Sequence, residues 1–209
     1  MAVITVDEGL TYIRRKIGEP DSANSWFTNP EIIIEINKAI DKVACDIEYP
    51  IRLSSIAGGS VAEQQEYTLD SDTLQVLEVF YDEELLHFFP YREIGRINEP
   101  IVYSPPESWT LKDALTLVFF PVPDLAGKAI EYRNIYRPAK IASGDNMPYT
   151  FDTINYAVLH KAISELVGPD FLDIANLYEN KYVNDDLPKL KLFVIKSQGP
   201  QYVEYDDIY

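Results

Sequence analysis

The sequence predicts an α+β fold: a four-helix bundle of two N-terminal and two C-terminal helices, a small antiparallel β domain inserted between them, and an extended C-terminal arm. Apolar residues recur at helical spacing up to Pro50 and again after Pro148. Between these stretches Gly, Pro, Tyr, Val and Phe replace that spacing, and the end of the chain shows no period. The expected units are residues 1–50 with 145–190 for the bundle, 51–144 for the β domain and 191–209 for the arm.

The first helix follows from Leu10, Ile13 and Ile17 at helical spacing. Thr5 and Glu8 supply the Ser/Thr-x-x-Glu pattern that satisfies the first free N–H groups, and Gly18 with Pro20 ends the helix. Ser25-Trp26-Phe27-Thr28-Asn29-Pro30-Glu31 opens the second. Asn29 is the expected cap, Pro30 sits in the first turn where no donor is needed, and Glu31 complements the positive helix end. Ile32, Ile36, Ile40, Val43 and Ile47 form one apolar stripe, widened by Ile33, so this helix should run from Pro30 to about Ile47 and stop before Pro50.

Strand-like runs follow at Glu66 to Leu69, Leu74 to Tyr81, Leu85 to Phe89, Leu115 to Phe120 and Ala129 to Tyr136, each bounded by turn residues. Asp82-Glu83-Glu84 and Pro121 to Gly127 read as hairpin connections. Gly58-Gly59 marks a turned approach to the region, and Ser104-Pro105-Pro106 a loop within it. An inserted sheet of about five short strands results.

Helical spacing returns with Thr150 or Asp152 as the cap and Ile154, Ala157, Val158, Ala162 and Leu166 on one face, ending at Gly168-Pro169. A last helix starts near Pro169-Asp170 and buries Phe171, Ile174, Ala175, Tyr178 and Tyr182 until Asp185-Asp186-Leu187-Pro188 breaks it. From Ser197 to Tyr209 there is no Lys or Arg. The stretch carries three acids and three tyrosines, a composition suited to anchoring an extended segment in a partner's pockets.

Composition narrows the function. With 46% hydrophobic residues in 209, the chain can bury roughly 70% of its unfolded surface, which excludes wholesale disorder. Eighteen Lys and Arg against 34 Asp and Glu leave a net charge of -16, which repels nucleic acid phosphates and argues against a DNA or RNA binder. The single Cys45 cannot form an internal disulfide, the N-terminus lacks a secretory pattern, and no apolar run is long enough for a membrane helix.

No catalytic or metal constellation is legible. His87 and His160 lack a second His or Cys at ligand spacing, and both read as structural. Cys45 lies on an apolar-rich helix and reads as a small buried hydrophobe. The acidic pairs Glu83-Glu84, Asp185-Asp186 and Asp206-Asp207 read as solvated charge. Phosphate loops, nucleophile elbows and calcium loops find no match in the chain. The expectation is no enzyme, no cofactor and no metal, with function carried by surfaces.

Several landmarks occur in a definite order. Arg14-Arg15-Lys16-Ile17-Gly18 closes an early helix. Trp26-Phe27-Thr28-Asn29-Pro30-Glu31 leads into Ile36-Asn37-Lys38-Ala39-Ile40, and Glu66-Tyr67-Thr68-Leu69-Asp70 precedes Val76-Leu77-Glu78-Val79. Leu117 to Asp124, Ile130-Glu131-Tyr132-Arg133, Tyr136-Arg137-Pro138-Ala139 and Met147-Pro148 follow. Together they cover most of the chain and resemble the head-to-tail adaptor (connector) proteins of tailed bacteriophages.

The resemblance implies a structural virion protein of the neck, made in the host cytoplasm. Its helices would form a dodecameric homo-oligomeric ring beneath the portal protein. That ring extends the channel through which genomic DNA passes without specific binding, part of the acidic surplus lining it. The β domain would meet tail, nozzle or fibre proteins, and the arm would reach onto the portal. Composition, rather than a matched motif, selects Tyr202, Tyr205, Ile208 and Tyr209 as the portal-docking anchors. Another neck or tail-completion ring is the neighbouring alternative. From a different class, an acidic DNA-mimic inhibitor would need dense, regular acids on one surface, whereas here they are interleaved with apolar runs.

Overall fold

The computed structural model describes residues 3–19, 25–91 and 102–197. The chain divides into two compact units, Met1–Glu48 with Pro138–Tyr209, and Tyr49–Arg137.

In the first unit, α1 (Val6–Ile17) starts from the Thr5–Glu8 capping box and closes on Gly18 in the left-handed conformation. Helix α2 (Asn29–Ile47) is capped by Thr28, not Asn29: the Thr28 hydroxyl accepts from the Glu31 N–H, and the Glu31 carboxylate reaches back to the Thr28 N–H. Arg14 ties the last turn of α1 to the start of α2. Its guanidinium is buried and donates to Glu19 Oε2 at 2.9 Å, to the Phe27 carbonyl at 2.9 Å and to Asn29 Oδ1 at 2.7 Å.

Helix α3 (Asp152–Val167) begins without a side-chain cap at Phe151; Asp152 instead accepts from the Ile4 N–H at 3.3 Å. From Ile154 to Ser164 every residue but Tyr156 is buried. The chain then passes through a 3-10 turn (Gly168–Phe171) into α4 (Leu172–Asn180), a π-helical turn (Lys181–Asp186) and α5 (Leu187–Ser197).

Among the described residues the second unit contains eight strands in two four-stranded sheets. They are β1 (Ile51–Ser55), β2 (Glu66–Thr68), β3 (Thr73–Tyr81), β4 (Glu84–Leu85), β5 (His87–Phe88), β6 (Ser108–Asp113), β7 (Thr116–Phe120) and β8 (Ile130–Tyr136). The sheet orders are β1-β8-β3-β4 and β2-β7-β6-β5, antiparallel except for the parallel pair β5/β6. Both sheets contribute to one core in which Val79, Leu117, Phe119, Ile130 and Tyr132 are essentially solvent-free. Two tyrosine hydroxyls tie loops to that core: Tyr132 accepts from the Asp70 N–H, and Tyr67 bonds Val61 and Gln64.

The architecture is α+β, but the expected four-helix bundle with a small antiparallel insert is not what the chain builds. A four-helix bundle needs amphipathic helices that each bury one stripe. Here α3 is buried almost all round, and strand-like pairing is mixed in with the helices: residues flanking α1 and α3 form the antiparallel bridge Thr5↔Asn146, and Asn37 on α2 bonds both the N–H and the carbonyl of Ile141.

The insert is larger than expected and its connectivity differs. β1 and β6 were not anticipated, because Ile51-Arg52-Leu53-Ser54-Ser55 and Ser108 to Asp113 are polar enough to read as loop. The expected run Leu85 to Phe89 splits at buried Leu86, where the chain leaves one sheet for the other, the device by which packed sheets turn a corner. Pro121 to Gly127 is a crossing between sheets and not a hairpin, since β7 and β8 belong to different sheets. The turn at Asp82-Glu83 does join a hairpin, both residues adopting positive φ.

The last helix does not break at Pro188, and the segment expected to be extended from residue 191 is helical to Ser197. The π turn is the reason. The Leu187 N–H bonds the Tyr182 carbonyl, five residues back, and this wider turn accommodates a proline ring that would clash with the carbonyl of a regular α-turn.

Two stability outcomes follow. Arg14→Ala leaves Glu19 buried without its cation and should cost about 3 kcal/mol in urea unfolding, part of it recovered by adding Glu19→Gln. A Cβ at Gly59 would lie 2.4 Å from the Lys128 carbonyl oxygen, at φ +68°. Gly59→Ala should therefore destabilise the second unit by about 2 kcal/mol, read as a lower thermal midpoint.

Candidate functional site

The polar groups of the helical unit converge on the buried helix α3. A helix buried on all faces can carry polar side chains only if each finds a partner. Asn155 donates to the Tyr149 carbonyl at 2.8 Å and accepts from its N–H, fixing the loop that precedes the helix. His160, 4% exposed, is sandwiched between two partners: Asp186 Oδ2 lies 2.6 Å from Nδ1 and the Tyr12 hydroxyl 2.8 Å from Nε2. With the proton on Nδ1, the ring donates to Asp186 and accepts from Tyr12, so all three are satisfied at once. Lys161 extends to Glu179 at 2.8 Å and Glu165 at 2.9 Å, and Ser164 donates to Glu179. On the far side of the π turn, Tyr182 donates to Asp46 of α2 at 2.7 Å.

The electrostatics match this geometry. Burial, reinforced by Tyr178, Tyr156 and Asp186, pushes the Tyr12 phenol up to about 12. Burial and the bond to Asp46 raise Tyr182 further above the ordinary tyrosine value. Burial works against the charge of Lys161, yet its bonds to Glu179 and Glu165 outweigh that and hold the amine above the usual lysine value. Glu179 is likewise held below its usual value by Lys161 and Ser164 despite the opposing effect of burial.

Tyr12, His160 and Asp186 have the outline of a nucleophile, base and orienting acid. A nucleophilic tyrosine needs a depressed phenol pKa, and this one is raised; the imidazole is sealed from solvent. The relay fastens α1, α3 and the π turn together. Beside it an open groove of about 840 Å³ runs along α1, with Asp7, Glu8 and Asp152 at one end, Tyr12 and Tyr156 in the middle and Arg15 and Lys16 at the other.

The expected docking residues Tyr202, Tyr205, Ile208 and Tyr209 lie outside the described residues, as does the pair Asp206-Asp207. His87 is exposed on the short edge strand β5, while Cys45 is half-buried on α2. Of the acidic pairs, Glu83 sits in the β3–β4 turn and Glu84 opens β4, both exposed. Asp185 is exposed, and Asp186 is the half-buried end of the relay, bonded to His160, rather than free solvated charge. Sequence reasoning missed this relay because its members are 26 and 148 residues apart. The one signal was His160-Lys161 within the otherwise apolar run Ala157 to Ile163.

Among the described residues no cluster of His, Cys, Asp and Glu could hold a metal ion, and no helix is long and apolar enough to cross a membrane. No family model matches the chain, and no curated protein matches it.

The Tyr182–Asp46 bond gives a pH-dependent outcome. The folded phenol ionises above the unfolded one. Its stabilising contribution is therefore complete below the ordinary tyrosine value of 10.0 and is lost as pH rises towards the folded value. Tyr182→Phe should cost about 1–2 kcal/mol near neutral pH. Urea unfolding of both proteins at neutral and strongly alkaline pH should show the difference shrinking at the higher pH; a constant difference would contradict this assignment.

Proposed function

We propose that this chain is a structural protein of the phage neck: a head-to-tail adaptor that binds the portal, assembles as a ring and presents an attachment surface for the tail. The observation that carries the reading is where the landmarks of the resemblance fall. They occupy the joints of the fold. Arg14 and Asn29 bond α1 to the start of α2. Asn37 pins the irregular segment at Ile141, and Tyr67 and Tyr132 tie the loops of the β unit. Tyr136-Arg137-Pro138 lies where the β unit ends and the helical unit resumes. Met147-Pro148 leads to the Tyr149–Asn155 bonds that open α3.

Charge supports the same reading. Arg52, Lys112, Lys128 and Arg133 of the β unit are each engaged by carboxylates of their own chain. Much of the cationic charge is therefore spent internally while the acids are in excess by 16. Such a surface lets DNA slide past without counterion-release binding. Helix α5 leads directly into the acidic, tyrosine-rich terminus, the segment that would reach the portal.

Native mass spectrometry with the portal ring encoded by the same genome tests the proposal, using the full chain and a version ending at Lys196. The expected result is stoichiometric decoration of the portal that is lost on truncation. Decoration that survives truncation would remove the docking role from Tyr202, Tyr205, Ile208 and Tyr209. Absence of any association with the full chain would overturn the adaptor reading.

A further inference from the structure

The helical unit exposes an aromatic knob. Trp26 is 60% exposed, yet its indole stacks on Phe171, with ring centroids 4.7 Å apart and planes inclined by 18°. Leu172, also 60% exposed, follows directly. The stack holds the indole in one orientation while leaving much of its surface in water. That arrangement forfeits hydrophobic free energy in the free chain and loses little side-chain entropy on docking.

The same unit carries a recess of about 310 Å³, with Ile34, Ile40 and Pro138 as apolar lining and Lys38, Lys140 and Asp41 among its polar lining. Ile34 is 54% exposed there, on the side of α2 away from its buried stripe. The volume suits one large side chain; ligand pockets generally start at about this size.

We propose that knob and recess are the two halves of one contact between copies of this chain, Trp26 of one copy entering the Ile34–Pro138 recess of the next. The inference rests on the ring reading above and gives it a surface. Electrostatics favour a second copy at this place. Two chains of net charge -16 repel each other wherever acids dominate. At the recess Lys38 and Lys140 offset Asp41 and the Glu35 that pairs with Lys38 at 2.7 Å. The recess is thereby locally neutral, so the exposed acids beside the knob, Glu31 on α2 and Asp173 on α4, meet no net repulsion there.

Knob and recess are different patches. The knob comes from the residues before α2 and after α3, the recess from the middle of α2 and the segment after β8. A contact that pairs two different patches is heterologous. Repeated from copy to copy it builds a ring when the rotation closes and an open filament when it does not, whereas a contact of one patch with itself stops at a dimer.

Disulfide trapping tests this directly. In a Cys45→Ser background, full-length chains carrying Ser25→Cys beside the knob, Ala139→Cys at the rim of the recess, or both, with Trp26 and Ile34 left in place, are oxidised, once on portal rings they decorate and once alone at high concentration. The double variant should give a ladder of linked multimers, and each single variant nothing beyond a dimer. Trp26→Ala should weaken self-association by about 30-fold or more, the scale of a hot-spot aromatic. Its unfolding midpoint, measured alongside, separates a lost contact from a lost fold. A missing ladder on decorated portals overturns the knob-and-recess contact and leaves the adaptor role standing. Failure of the parent chain to decorate the portal overturns the adaptor role, and the oxidation of the chain alone then decides the contact: a ladder supports it, none removes it.

Discussion

Much of the helical unit depends on one constraint: α3 is buried on nearly every face while carrying Asn155, His160, Lys161 and Ser164. Leaving any of these polar groups without a partner would cost roughly 1–3 kcal/mol, more for the lysine charge. Their partners come from the loop before the helix, from Tyr12 of α1, and from Glu179 and Asp186 on the C-terminal run. The register of that run is thereby set. Sliding it by one residue would strand a lysine and a histidine together. The π turn reconciles this register with Pro188: it widens the helix where the proline follows while keeping Tyr182 on Asp46 and Asp186 on His160.

The β unit solves a different problem by related means. Short strands at sheet edges invite unwanted pairing. Here β4 and β5 are two residues each, and the switch at Leu86 divides one apolar run between the two sheets. Aromatic side chains do most of the filling, with Tyr67 and Tyr81 packed edge-on or tilted against Phe119. Their polar ends reach outward, Tyr67 to backbone groups and Tyr81 to Ser60, so a large ring fills the core without burying an unpaired hydroxyl.

What could be read from the sequence was what local chemistry decides. The Thr5–Glu8 capping box, the isoleucine stripe of α2, the apolar residues of α3 and the strands containing Val76–Tyr81 and Ile130–Tyr136 all carry short-range periodicity or capping patterns. Features set by long-range pairing could not be read. β1 gains its strand character from pairing with β8, some 80 residues away at Ser54 and Asn134. The assignment of β7 and β8 to different sheets has no local signature. Nor has the relay, since nothing near His160 in sequence announces Tyr12 or Asp186. Cap identity failed more narrowly: Thr28 and Asn29 are adjacent and both competent, and the Thr-x-x-Glu spacing to Glu31 favours the former.

The division between a well-satisfied interior and an unsatisfied exterior bears on how such a chain assembles. Inside, buried charges such as Arg14, Glu19 and Lys161 have partners within the same unit. Outside, acids outnumber bases, so copies approaching one another meet a net repulsion that physiological salt screens beyond roughly 8 Å but not at contact. Association therefore has to come from apolar contact at places where the local charge is balanced. It should also strengthen as salt is raised, opposite to the behaviour of a basic nucleic-acid binder. An exposed tryptophan held on a phenylalanine, together with a recess where lysines offset the acids, meets both requirements. In the proposed ring, the same acidity that would keep DNA from sticking would thus restrict where neighbouring copies touch.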